Sequence, residues 1–288
     1  MEHNKDLDVN IFFEGKDKLL NYIKPFVFDP IETFNIGEEK YKRSGFTFKA
    51  GLLFYGAPGC GKTSTIKGIL KYTNRHAIII NLNRVKTCDE LESIFRKRNF
   101  DDKEISGKEL CFILEDCDAS GDNGVNILSN RKKDKKTDFN STGEDNTSKK
   151  QSESENIVNK LLEFSTCSIK IDDDSVNLSC FLNILDGIIE LHGVMIIMTT
   201  NYPEKIDEAL IRPGRFDFRY EFKRASREII REMLMFKYEL SEKKMCEYDS
   251  MLNIKDEVLS PAQIQATCFQ NSNIIDCINE LVLIAQKV

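Results

Sequence analysis

Residues 56 to 63 read Gly-Ala-Pro-Gly-Cys-Gly-Lys-Thr, a spacing suited to holding phosphate. Glycines at Gly56, Gly59 and Gly61 let the backbone curl until its N–H groups point inward at anionic oxygens. The curl follows an apolar run, "GLLFY", and opens a helical one, "KTSTIKGILKYT". It therefore falls at a helix N-terminus, whose partial positive charge favours the same anion. Lys62 is placed to reach the outer phosphates and Thr63 to offer its hydroxyl to Mg²⁺, with Ala57, Pro58, Cys60 and Ser64 completing the cradle. A pair of carboxylates, Glu115 and Asp116, closes the run "CFILED". At the end of a buried strand one such group can bind metal while its neighbour orients or deprotonates water. Glu115 is assigned the metal and Asp116 the water, and Asp118 is read as a helix N-cap. Asn201 ends a third apolar run, "VMIIMTT", where its amide can hydrogen-bond a terminal phosphate or the attacking water. Arg212 and Arg215 flank a Pro-Gly turn. They suit either trans-acting contacts to a neighbouring subunit's nucleotide or plain surface pairing.

These groups need a frame. The apolar blocks at 51–56, 76–82, 110–116, 194–200 and 219–222 are strand-length and rich in Ile, Val and Leu, as strands buried on both faces require. The first of them is expected to lie beside the strand that ends at Glu115. Helical patterns lie between them, with Thr87 or Asp89 as the N-cap of the segment "CDELESIFRKR". Alternation of this kind predicts an α/β fold with a doubly wound parallel sheet. After Phe222 the pattern is purely helical, with Ser260-Pro261 as a helix start, and predicts a small helical lid over 223–288. The core is expected over 46–222, behind an extension of 1–45 in which "KDKLLNYIKPFV" suggests one short helix. A stretch near 120–156, rich in Ser, Asn, Asp, Gly and Lys, is expected to be a disordered insertion. The segment 176–189 is expected to be an amphipathic helix closing near Gly187.

Composition narrows the classes. In 288 residues the formal net charge is −6, so a broad basic face for duplex nucleic acid is not expected. The basic run "RKKDKK" at 131–136 is read as a solvated charge run. Nine cysteines without a Cys-x-x-Cys pair, and only three histidines, suggest reduced thiols rather than a disulfide framework or a zinc site. Cys111 and Cys117 are read as small core residues, with a redox pair as the other reading. No apolar run approaches the ~18 residues that span a bilayer, and the first thirty residues carry no signal-peptide pattern. A soluble, cytoplasmic protein is expected.

Taken in order, "GLLFYGAPGCGKTS", "LEDCDA", "LSCFLNILDGI", "MTTNYPEKIDEALIRPGRFD" and "LSPAQIQ" resemble the AAA ATPases. In particular they resemble the AAA domain of the mitochondrial translocase that assembles the Rieske iron–sulfur protein. The resemblance covers about Phe46 to the C-terminus. It implies a P-loop ATPase core with a helical lid, ATP and Mg²⁺ as ligands, and a homo-oligomeric ring remodelling a protein client. It also implies Glu115-Asp116 as the Walker B pair, Asn201 as the sensor and Arg212 with Arg215 as the finger arginines. The pair is Glu-Asp where most AAA proteins have Asp-Glu, and the lid has Pro261 and Gln263 where many have glycine and an acid. Only about 45 residues precede the core here, without a spanning segment, so the translocase's membrane helix and preceding domain are not expected, and "NLNRVKTCDEL" lacks the aromatic of a threading loop. Two other readings stand beside this one. A nucleic-acid-acting AAA factor would retain DNA through 131–136, and a nucleotide-gated adaptor would bind ATP without turning it over.

Overall fold

The computed structural model describes residues 5–28, 36–100, 102–115, 117 and 176–287. Its main sheet holds β1 (Ala50–Gly56), β2 (His76–Ile79), β5 (Leu110–Leu114), β6 (Met195–Thr200) and β7 (Phe218–Phe222). β3 (Asn99–Phe100) and β4 (Lys103–Glu104) form a separate short antiparallel pair. The helices are α1 (Lys16–Ile23), α2 (Ile36–Arg43), α3 (Lys62–Thr73), α4 (Cys88–Arg96), α5 (Leu178–Asp186), α6 (Arg227–Tyr238), α7 (Glu242–Tyr248), α8 (Pro261–Gln270) and α9 (Ile274–Lys287).

All neighbouring strands of the main sheet are parallel, in the order β2-β5-β6-β1-β7. The strand that ends at Glu115 is thus not beside β1, as the sequence suggested. β6 lies between them, with Tyr55 opposite Thr200 and Leu114 opposite Met198. Burial explains the order. Every residue of β6 is buried, whereas β2 and β7 carry exposed residues, so the most apolar strand takes the centre and the mixed ones take the edges.

Alternation along each strand sends side chains to two cores. Leu53, Phe112, Ile196 and Met198 pack with Leu91 and Phe95 of α4 and Phe181 of α5. Leu52, Phe54, Ile113 and Ile197 pack with Ile66 and Ile69 of α3, and with Leu7, Ile11, Leu19 and Ile23 from the N-terminal segment. α6 to α9 enclose a third core around Ile230, Leu234, Ile264, Cys277 and Leu281. Helix starts follow capping chemistry. Thr87 accepts from Glu90 N, Asn177 from Cys180 N, and Ser260 forms a capping box with Gln263. α5 closes where the sequence placed its end, with Gly187 as its C-cap in extended conformation at φ −68°. A side chain there would meet the Asn183 carbonyl.

At the amino end of the sheet, buried Arg75 donates to the carbonyls of Phe26, Gly107, Leu110 and Gly193. Burial pushes its guanidinium down to about 10, which leaves it charged at neutral pH. One cation thereby ties the N-terminal segment, β5 and the approach to β6. Cys111 and Cys117 sit at opposite ends of β5 and cannot pair. The described cysteines are all free thiols. Among the described residues no helix is long and apolar enough to cross a membrane. The stretch 120–156, its run 131–136 and Asp118 lie outside the described residues.

Candidate nucleotide site

The loop between β1 and α3 has the backbone its glycines predict: Gly56, Gly59 and Gly61 take φ of 125°, 77° and 103°. Two of them also meet close neighbours. A side chain on Gly56 would strike the Phe222 carbonyl of β7, and one on Gly59 would touch Ser260 and Ala262. Ala57, Pro58 and Gly59 are exposed at the rim, while Cys60 turns inward with its sulfur 3.9 Å from the Pro58 carbonyl. Burial raises the Cys60 thiol, so it lines the loop as a neutral group.

Lys62 is the residue around which the loop closes. It is 8% exposed, and its ammonium donates to the Gly56 carbonyl at 2.6 Å, the Ala57 carbonyl at 3.1 Å and Asn201 Oδ1 at 2.7 Å. The last contact joins residues 139 apart in sequence, because β6 runs beside β1 and both end at the same edge. Thr63 is exposed in the first turn of α3 and Ser64 is half-buried. Glu115 is exposed just past β5, and the amide of Cys117 still pairs with the Thr199 carbonyl at 3.1 Å. Asp116 lies outside the described residues.

Pro58 to Thr65 and Asn201 border a cavity of 340 Å³ that the sequence only half announced; Glu115 is not among its lining residues. Besides the loop and Asn201, its walls include Asn10, Ile11 and Phe12 of the N-terminal segment, and Met233, Pro261 and Gln265 of the helical region. The N-terminal segment is held there by an Asp6–Lys71 ion pair at 2.9 Å, by Leu7 and Ile11 lying against Gly68, and by Phe12 packing on Phe236 at 5.5 Å between ring centres. No local spacing in "DLDVNIFF" marks it as a cavity wall. From the other side α8 closes in, its Ala262 N–H donating to the Gly59 carbonyl at 3.2 Å. Among the described residues, Thr65 Oγ1 is the buried side-chain oxygen or nitrogen without a partner, and Thr65 lines this cavity.

The two arginines behave differently. Arg212 is exposed. Arg215 is engaged within its own chain, its Nε 2.5 Å from Asp186 Oδ2 and its Nη1 2.6 Å from the Ala209 carbonyl.

A curled glycine loop at a helix N-terminus and a lysine bridged to an asparagine on the next strand meet at one end of the sheet, an arrangement suited to binding phosphate. The sequence model of the "ATPase family associated with various cellular activities (AAA)" matches residues 52–224, more than half the chain. The chain belongs to the AAA family of ATPases. An AAA-ATPase of Arabidopsis thaliana is 32% identical over 200 residues, covering 69% of this chain and 35% of that protein. A protein of Acanthamoeba polyphaga mimivirus, named as an AAA family ATPase, is 30% identical over 208 residues, covering 72% of this chain and 94% of that one. A Dictyostelium discoideum protein, named as mitochondrial chaperone BCS1-B, is 26% identical over 280 residues, covering 96% of this chain and 54% of that protein. The AAA chain thus spans about a third of the plant relative and about half of the Dictyostelium one. The resemblance to the Rieske-translocase group agrees with these relatives, and the parallel sheet followed by helices agrees with the family's fold.

Proposed function

We propose that this chain is the subunit of a Mg²⁺-dependent AAA ATPase ring that remodels a protein client. The observation that carries the reading is the 2.7 Å contact between Lys62 and Asn201 at the mouth of the glycine loop. It brings a cation and an amide together at the mouth of the loop, which supports the outer phosphates of ATP lying there. The backbone N–H groups from Gly59 to Ser64 would hold the phosphate chain, and Lys62 would turn from the carbonyls of Gly56 and Ala57 to the β- and γ-phosphates. The partnerless Thr65 hydroxyl supports a polar occupant, since a buried hydroxyl without a partner costs about 1–3 kcal/mol. Thr63 and Glu115 supply the oxygen donors that a hard cation needs. When bound, Mg²⁺ neutralises phosphate charge there. Asp116, beside Glu115 in sequence, is assigned to water activation, and Asn201 to orienting the water or the terminal phosphate. Arg212 is offered to the neighbouring subunit's nucleotide, where it would stabilise charge developing on the transferred phosphoryl group.

The client reading draws on the relative named as a chaperone. The free thiols fit the cytosol or a similarly reducing compartment, and we place the protein in the cytoplasm; recovery in a protease-protected mitochondrial fraction would overturn that placement. The test of function is ATP hydrolysis per subunit against protein concentration, with Mg²⁺, beside Lys62→Ala. Turnover that rises with concentration and vanishes in the variant is expected. Tight ATP binding with no turnover at any concentration would refute it in favour of a nucleotide-gated adaptor.

A further inference from the structure

α5 ends on a carboxylate that serves two cations. Asp186 Oδ1 lies 3.1 Å from Lys49 Nζ, and Oδ2 lies 2.5 Å from Arg215 Nε. Lys49 precedes β1, its side chain 7% exposed, and its ammonium also donates to the Leu185 carbonyl in the last turn of α5. A lysine so buried is costly unless paired, so Asp186 is held in place from behind. Arg215 is held from two sides, by Asp186 and by the Ala209 carbonyl, and its side chain is 15% exposed. Its planar fork spans both ends of the loop from Ala209 to Arg215, a geometry that one lysine ammonium cannot copy. The same loop is pinned elsewhere. Gly214 N–H donates to Asp217 at 2.7 Å, and the Arg215 backbone carbonyl rests on β1 at Gly51, where no side chain intervenes. Arg212, on the outside of this loop, has no ion pair among the described residues.

We infer that Asp186 and Lys49 are positioning residues for the trans-acting arginine. The chain Lys49–Asp186–Arg215 clamps the loop 209–217, and Arg212 is the side chain that the clamped loop presents to the neighbouring subunit. This divides between two arginines a role that the sequence analysis gave to both. It rests on the reading of the protein as a ring ATPase. A loop held by several charge-assisted bonds keeps the guanidinium of Arg212 in place before the neighbour arrives, so the gain appears in turnover rather than in ATP affinity.

The test compares kcat and KM for ATP at saturating protein concentration in the wild type, Asp186→Asn, Arg215→Ala, the double variant and Arg212→Ala. Hydrogen exchange of the amides in 209–217 is read in parallel. We expect Asp186→Asn and Arg215→Ala each to lower kcat about 10- to 100-fold, the cost of a misplaced group, with KM for ATP nearly unchanged. The double variant should be no worse than either single one, exchange in 209–217 should quicken, and exchange in β1 should not. Arg215→Lys keeps the charge and its small change leaves folding intact; it should lose as much as Arg215→Ala. Full turnover in Asp186→Asn, losses that multiply in the double variant, or rescue by Arg215→Lys would each overturn the inference and leave the ATPase reading standing. A wild type that turns over no ATP at any concentration would remove both.

Discussion

Gly51→Ala tests whether the arginine loop depends on the strand it leans against. A Cβ built on Gly51 falls at less than half the ordinary contact distance from the Arg215 carbonyl oxygen and 3.0 Å from the Phe216 Cα. Both obstacles are backbone, so no rotamer change relieves them. The loop must retreat by roughly 2 Å to restore van der Waals contact, and overpacking of this kind costs about 1–3 kcal/mol. With nothing flexible to yield, the upper end applies, and a domain of this size should lose about 6–12 °C in Tm. Gly51 sits near the start of β1 and the glycine loop follows its end, so ATP affinity should be nearly unchanged. Turnover should fall because the retreat displaces Arg212. Melting by circular dichroism, ATP-analogue binding by calorimetry and concentration-dependent hydrolysis make up the assay. A Tm within about 1 °C of wild type together with full turnover would refute the claim that the loop bears on Gly51.

Arg75→Met should cost about 3 kcal/mol in urea unfolding, because the carbonyls of Phe26, Leu110 and Gly193 lose a buried donor; a loss below about 1 kcal/mol would show that those carbonyls find other partners. Lys108 first, and His192 second, hold the Glu38 carboxyl below its usual range. A depressed folded pKa means stability that is present above the unfolded value and lost as pH falls through the folded one. Glu38→Gln should therefore cost about 0.5–1 kcal/mol at neutral pH, and progressively less as pH falls below the ordinary carboxylate range, so a gap that does not narrow in acid would contradict the pairing. Gly68→Ala would put a Cβ 2.5 Å from Ile11 Cδ1 and 2.8 Å from Leu7 Cδ1. Both atoms are side-chain ends of buried residues, so Leu7 and Ile11 should shift, with a small loss of Tm and at most a several-fold loss of ATP affinity; an unchanged Tm would show that they do not press on Gly68.

How far the sequence could be read depended on the range of the interaction involved. The glycine loop was legible because its chemistry is local: three glycines, a lysine and the following helix lie within a few residues of one another. The main strands were legible because burial on both faces leaves an unbroken apolar run. Their lateral order was not, since pairing between strands leaves no mark in either run, and the strand ending at Glu115 was placed one position too close to β1. α2 escaped notice because "IGEEKYKR" offers few apolar residues to set a period. The engagement of Arg215 was invisible for a similar reason. Its partner Asp186 is 29 residues upstream and Lys49 is further still, and "RPGR" reads the same whether its second arginine is outward or clamped. The cavity wall from Asn10 to Phe12 likewise depends on where the N-terminal stretch is laid across α3.

The central place of β6 gives the site a fixed gauge. Strand spacing in a sheet is about 4.8 Å, and one strand separates β1 from β5, so the glycine loop and Glu115 stand two spacings apart, roughly 10 Å. That width is a property of backbone hydrogen bonding, which substitutions in the loop or at Glu115 leave untouched. Such changes can alter the charge or reach of the groups at either end, but not the backbone separation between them. On the proposed reading, the phosphates of the nucleotide together with their cation would have to cover that separation, which a single phosphate would not.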